Sequence, residues 1–149
     1  SAYKRKAFID PAQRSRALSD MVGIYRKADA LARSRAGASQ PYPLLNALAG
    51  EAILELVKGK TLGNISATLQ PVREGTRAAD FWGWLRDAEC ALIEGLALGD
   101  LAAQSATVIE GYTDAIKRAA SPREARSVRE NLELLIAALD DAIDDIGLL

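Results

Sequence analysis

Apolar side chains recur along most of the chain at steps of three and four residues, the spacing of one face of an α-helix. The first such stripe follows Asp10-Pro11, which we interpret as an N-cap followed by proline at the first helical position, and it ends at Gly37-Ala-Ser-Gln-Pro41. The next predicted helix runs from about Pro43 to Val57, and Lys58-Gly59 follows it as a stop signal. No segment alternates apolar and polar residues with the period of a β-strand. The predicted fold class is therefore all-α.

The segment 60–79 has the weakest helical pattern. Ile65, Leu69 and Val72 share one side of it, but Pro71 lies among them. Proline inside a helix costs ~3 kcal/mol, because it removes a backbone hydrogen bond and its ring clashes with the preceding turn. We therefore expect a kink or a break at Pro71.

Three clearer helices are predicted in the second half of the chain. Asp80 is expected to cap a helix from Phe81 to about Leu98, and a further helix follows the turn at Gly99-Asp100. The last helix opens with Ser121-Pro122-Arg123-Glu124, the pattern of a capping box, and runs to about Ile143. Its predicted inward positions are Val128, Leu132, Leu135, Ile136 and Leu139.

The spacing of the helices suggests repetition. The starts near 43 and 81 lie about 38 residues apart, and at that offset Glu51-Ala-Ile-Leu54 aligns with Glu89-Cys-Ala-Leu92. Periods of ~34–47 residues with two helices per unit are typical of helical solenoids. A plain helical bundle is the alternative.

The stretch Asp80-Phe-Trp-Gly-Trp-Leu-Arg-Asp-Ala-Glu-Cys-Ala-Leu-Ile-Glu-Gly95, followed by Leu98-Gly-Asp100, resembles the first helix and turn of a tetratricopeptide repeat. In that family a large residue opens the first helix, small residues fill its middle, and a Gly-Asp-type turn leads into the second helix. Ala115 and Pro122 are similar in position to the family's small residue and terminal proline. The stretches SAYKRKA and PYPLLNALAGEAIL also resemble the bacterial tetratricopeptide-type region known as TRAFs-binding.

This resemblance implies one helical-repeat domain over residues 1–149, and it is compatible with a fragment of a longer bacterial chain. The implied architecture is an α-solenoid of stacked antiparallel helix pairs with a right-handed superhelical tendency and a C-terminal capping helix at about 121–143. A single helical hairpin cannot bury its apolar face alone, so neighbouring pairs stack. Such a stack leaves a concave surface that can receive a peptide or a helix of another protein.

Composition limits the classes of partner and the compartment. The formal net charge is −1, so the chain lacks the basic surplus typical of nucleic-acid binding. No apolar run approaches the ~18–20 residues of a membrane helix, so no membrane partner is expected. The single cysteine, Cys90, cannot form an internal disulfide, which favours a reducing, cytoplasmic location.

Catalytic chemistry is not expected, and neither is a cofactor. The chain has no histidine, which removes the commonest general base and metal ligand. Cys90 is interpreted as a small buried apolar residue. Lys58-Gly-Lys-Thr61 is similar to the end of a phosphate-binding loop, but Leu54 stands where that motif requires glycine, and no strand precedes it.

Asp140-Asp141-Ala-Ile-Asp144 has the D-D-x-x-D spacing by which isoprenoid synthases hold Mg²⁺. Carboxylates four residues apart on a helix share a face and can coordinate a hard cation. A small-ligand-binding or enzyme domain with an acidic metal site at 140–145 is therefore one alternative. The preferred interpretation is a solvated acidic helix end.

The aromatic cluster near residue 82 is the best candidate for a binding site. On a helix Phe81 and Trp84 share a face, whereas Trp82 points ~100° or more away, so one tryptophan is expected in the core and the other exposed. Trp82 is the predicted partner-binding residue, since tryptophan is enriched where partners dock. Tyr42, Asn46 and Arg86 are predicted to line the same groove. The leading prediction is a non-catalytic scaffold or adaptor that binds another protein or peptide, with a helical homo-oligomerisation bundle as the alternative.

Overall fold

The computed structural model describes residue 10 and residues 13–37 and 40–146, with backbone alone beyond residue 140. These residues form six α-helices and no strand, which confirms the all-α prediction. The SAYKRKA stretch and the proline of Asp10-Pro11 lie outside the described residues. The helices are α1 (Arg14–Ala36), α2 (Pro41–Val57), α3 (Ile65–Glu74), α4 (Phe81–Leu98), α5 (Leu101–Lys117) and α6 (Pro122–Ile146).

Several helix ends follow the local chemistry that the sequence predicts. Gly37 closes α1 in the left-handed conformation with φ of 72°, which glycine adopts without a Cβ clash. The Asp80 carboxylate caps α4 by accepting a hydrogen bond from the Gly83 N–H at 3.1 Å. The Glu124 carboxylate accepts from the Ser121 N–H at 3.2 Å, which is the glutamate half of the predicted capping box.

Two predicted boundaries are wrong. Asp10 does not cap α1, because Gln13 holds the N-cap position, and its side-chain amide donates to the Asp10 carboxylate at 2.9 Å. Of the kink or break expected at Pro71, the break is absent, since α3 continues through it to Glu74. Pro71 is exposed, and the apolar side chains on both sides of it are buried, so packing keeps the segment helical. These side chains are Ile65, Leu69 and Val72.

Helix α2 is the centre of the fold, because it packs against α1, α4 and α6. Residues 43–50, which span more than two turns, are all buried. In the α1–α2 pair the glycine Gly50 lies against Leu18 and Val22. The absent side chain lets the two helices approach closely.

The helices of each long pair run in opposite directions. Gly50, late in α2, contacts Val22 of α1, whereas Tyr42, early in α2, contacts Tyr25. In the second pair, Gly95, late in α4, lies against Leu101 at the start of α5, whereas Ala88, earlier in α4, lies against Gly111. Helices α2 and α4 begin side by side, whereas the short α3 packs against α4 and makes little contact with α2.

Helix α6 packs back against α2 and makes little contact with α5, the helix that precedes it. Val128, Leu134 and Ala138 form its buried face, and Arg14 of α1 donates a hydrogen bond to the Ala137 carbonyl at 3.1 Å. The predicted inward position of Ile136 is wrong, since its side chain is 58% exposed. The contact with α2 sets the rotation of α6 and leaves Ile136 on its outer flank.

Two glycines inside helices test the close packing of α1 on α2. A methyl group on Gly50 would overlap the stiff, β-branched Val22, whereas one on Gly23 of α1 would meet no atom. We expect Gly50→Ala to destabilise the protein by about 1–3 kcal/mol, as overpacking does. Gly23→Ala should stabilise it by up to ~1 kcal/mol, because alanine has the higher helix propensity. Urea unfolding of both variants measures the difference, and equal effects would contradict the close approach.

Candidate functional site

An open groove of about 260 Å³ lies where the first turns of α2 and α4 meet. Three of the four residues predicted to bind a partner, Tyr42, Trp82 and Arg86, line this groove. Thr76 and Ala78, from the segment that connects α3 to α4, form another part of its wall. The groove therefore draws its walls from two helices and one connecting segment.

A row of three aromatic rings extends from α1 to the groove, and two of them, Tyr42 and Trp82, line it. Tyr42 lies between Tyr25 of α1 and Trp82 of α4, with ring centroids 5.9 and 6.2 Å away and ring planes 82° and 88° apart. The hydroxyl oxygens of Tyr25 and Tyr42 are 3.4 Å apart. Although Tyr42 is 42% exposed and Trp82 is 45% exposed, each packs edge-to-face on a neighbouring ring. The row thus offers exposed aromatic surface whose orientation is already set.

The other tryptophan has a structural role. Trp84 is half-buried, and the guanidinium groups of Arg77 and Arg118 lie 4.1 and 3.6 Å from its ring centroid. Such cation–π contacts hold the α3–α4 connection and the end of α5 against α4. The prediction of an exposed tryptophan is confirmed for Trp82, whereas Trp84 is half-buried and lies against two arginines.

Arg86 is buried, and its donors are directed to the main chain. Its Nη1 atom donates to the carbonyls of Gly75 and Thr76 at 2.9 and 3.4 Å. Its guanidinium also pairs with Asp87 at 3.0 Å. Arg86 therefore holds the end of α3 against α4, and it contributes a wall of the groove.

Asn46, the fourth predicted residue, lines an inner cavity next to the groove. Its amide donates to the Tyr42 carbonyl at 2.8 Å, and its side-chain oxygen accepts from Asn131 of α6 at 3.3 Å. The cavity has a volume of about 20 Å³, room for one water molecule. Asn46 thus links α2 to α6 behind the row of aromatic rings.

Glu89 of α4 borders both the groove and the inner cavity. Among the described residues, no side chain or backbone group forms a hydrogen bond or ion pair with its carboxylate. Its side chain is partly accessible from the groove, yet desolvation by the surrounding protein raises the pKa of Glu89 to about 8. Burial also raises the pKa of Tyr25 and of Tyr112, and the nearby Glu89 carboxylate raises both further. An acidic group therefore lies at the floor of the groove without a cationic partner in the described residues.

The sequence analysis did not single out Glu89 as a site residue. The signal was present, because Phe81, Leu85 and Glu89 follow one another at steps of four along the face of α4 that turns inward. A charged side chain on an otherwise buried stripe is a recognisable exception. Only the packing of α2 against α4 shows that this position opens into a groove.

The remaining reactive groups are dispersed. Cys90 is buried, as predicted, and burial raises the pKa of its thiol to about 11, so little of the nucleophilic thiolate forms near neutral pH. Within the described residues, no three acidic or cysteine side chains converge on a point where a metal ion could bind. Asp140 is exposed, and the side chains of the acidic residues that follow it lie outside the described set.

A membrane-spanning helix is not found among the residues that the structure describes, since none of these helices is both long and apolar enough. Comparisons with protein-family models, with curated proteins and with solved structures found no match to this chain.

The raised pKa of Glu89 predicts how stability depends on pH. The folded protein keeps a proton on Glu89 up to about pH 8, whereas the unfolded chain releases it near the ordinary value of 4.5. The free energy of unfolding should therefore fall as pH rises between these values. Since each pKa unit corresponds to ~1.4 kcal/mol, we expect Glu89→Gln to be more stable than the parent by a few kcal/mol at pH 9, with much less difference at pH 4.5.

Thermal unfolding followed by circular dichroism at several pH values tests this expectation. Glu130→Gln, a change of an exposed glutamate on α6, is the matched control and should follow the parent at every pH. A constant difference between Glu89→Gln and the parent across this range would rule out a desolvated carboxylate.

Proposed function

We propose that this chain is a non-catalytic interaction module that binds a segment of another protein, or a peptide, in the groove between α2 and α4. The observation that carries the proposal is the pair of exposed rings, Tyr42 and Trp82, at the mouth of the groove. Tryptophan and tyrosine are enriched among residues that dominate binding energy, because they bury a large area and have few rotatable bonds.

The size of the groove fits side chains of a docked segment. Its volume is about 260 Å³, whereas one water molecule needs only about 10–15 Å³ on the same measure. That space can receive one or two side chains, while the rest of the segment lies on the aromatic rim. Because neighbouring rings hold Tyr42 and Trp82 in place, little conformational entropy is lost when a partner binds.

We further propose that the module is a helical-repeat scaffold or adaptor of tetratricopeptide type. The antiparallel pairs α1–α2 and α4–α5 and the side-by-side starts of α2 and α4 support this architecture. In these pairs α2 is the second helix and α4 is the first helix of the next pair. The groove lies between α2 and α4, where the two pairs meet. The free, buried thiol of Cys90 supports a cytoplasmic location.

Self-association is a second candidate function, and a different surface favours it. Ile116 of α5 and Ile136 of α6 are 45% and 58% exposed, and they border a wide depression of about 600 Å³ together with Val128 and Leu132. Contiguous exposed apolar surface marks contact sites on soluble proteins. Two copies could cover this surface by pairing around a two-fold axis.

Peptide selection tests the groove and does not require that the natural partner be identified. A random peptide library displayed on phage is selected on the immobilised chain, and Kd values of the enriched peptides are measured by fluorescence anisotropy. We expect Trp82→Ala to weaken these peptides by about 30-fold or more, because a hot-spot truncation costs ~2 kcal/mol. Circular dichroism confirms that the variant is folded.

Ile109→Ala provides the matched control, since Ile109 is a large apolar residue of α5 with 66% exposure that does not line the groove. Its affinity for the same peptides should remain within about twofold of the parent, well below a 1.4 kcal/mol effect. Enriched peptides that bind the Trp82 variant as tightly as the parent would refute the proposed function.

The oligomeric state separates the two candidates. Sedimentation velocity over a range of concentrations measures the mass of the parent and of Ile136→Lys. If self-association is the function, we expect a dimer that the charged residue on this apolar surface disrupts, and Trp82→Ala should leave that dimer intact. A monomer at all concentrations would exclude this second candidate.

A further inference from the structure

The floor and the walls of the groove differ in chemistry. Tyr42, Trp82 and Leu45 give an apolar and aromatic lining, and Glu89 provides a carboxylate below them. The other charged residue of the lining, Arg86, already interacts with two carbonyls and with Asp87. The carboxylate is therefore the charge of the lining that lacks a partner among the described residues.

A carboxylate in such a place is costly unless a ligand pairs with it. Removing an ionised carboxylate from water carries a penalty of several kcal/mol, which a hydrogen-bonding cation at short range can offset. Aromatic side chains assist, because the negative faces of indole and phenol rings attract cations. Lysine and arginine combine a long apolar stem with a charged head, which matches an apolar entrance above an acidic floor.

We propose that the groove receives a basic side chain of the partner, lysine or arginine, whose stem contacts Tyr42 and Trp82 and whose charged head pairs with the Glu89 carboxylate. This inference rests on the proposed function and specifies the chemistry of its ligand. The charge complementarity between an unpaired acid and a basic side chain selects this occupant over an apolar or acidic one.

Binding of the cation is coupled to release of a proton. Burial raises the pKa of Glu89 to about 8, so the free protein holds a proton there near neutral pH. The titratable and charged groups that face it are Tyr25 of α1, Tyr42 of α2, Arg86 of α4 and Tyr112 of α5, and burial raises the pKa of Tyr25 and of Tyr112 above that of a free tyrosine. Affinity for a cation should therefore rise with pH and level off above pH 8.

The fragment n-butylammonium, which reproduces the lysine side chain, probes the groove directly. NMR of the full chain follows the Glu89 carboxyl ¹³C signal and the Trp82 indole N–H during titration. We expect both signals to shift to saturation, with a Kd on the order of 10- to 100-fold lower at pH 9 than at pH 6, because only the ionised fraction of Glu89 binds.

Two controls separate charge pairing from general affinity for alkyl chains. Neutral n-butanol should not shift the Glu89 signal, and Glu89→Gln should bind n-butylammonium at least 10-fold more weakly at pH 9 while Glu130→Gln binds like the parent. Equal binding of butanol and butylammonium would overturn the inference.

The selected peptides distinguish failure of this inference from failure of the proposed function. We expect them to carry a lysine or arginine at one fixed position, and replacement of that residue by norleucine should weaken binding at least 10-fold. Peptides that depend on Trp82, yet bind equally well with norleucine or to Glu89→Gln, would overturn the inference and leave the proposed function standing. Absence of any Trp82-dependent peptide would refute both.

Discussion

The enclosure of α2 by α1, α4 and α6 is the packing constraint on which the rest of the structure depends. Residues 43–50 are buried all round the helix, and Gly50 allows α1 to approach without a side chain between the backbones. Since protein interiors are closely packed, a helix held on three sides has little freedom to slide or rotate. Its first turn is therefore held beside the first turn of α4, which brings Tyr42 against Trp82.

The same enclosure determines the electrostatics of the groove. The helices that bury the apolar face of α4 also remove water from Glu89, and no arginine or lysine of the described residues compensates its charge. Burial of Glu89 thereby links stability to binding. It makes the folded protein with an ionised Glu89 less stable, and it favours a cationic ligand that pairs with this carboxylate. Functional sites often retain such locally unfavourable groups, which a fold tolerates when the surrounding core is large.

The accuracy of the sequence-based predictions depended on how local the physical cause was. The ends at Gly37, Asp80 and Gly99 depend on a left-handed glycine or on a cap three residues away, so neighbouring residues suffice to predict them. The break expected at Pro71 was wrong because burial of α3 on α4 outweighs the local penalty. Ile136 was predicted to lie inward because it belongs to the apolar stripe, but the packing partner sets the rotation of α6.

The residues of the candidate site also differ in whether the sequence alone could predict their positions. The sequence by itself determined the helical class and the exposure of Trp82, since a helix must turn adjacent positions about 100° apart. The sequence also singled out Tyr42 and Arg86, although it did not distinguish a residue of the groove wall from one at its rim. Asn46 was predicted to line the same groove, whereas it lies behind the aromatic rings. Only the tertiary structure decided that Glu89 lies at the floor. Desolvation depends on how many residues from other parts of the sequence pack around a group. The residue pattern of a single helix does not give that number.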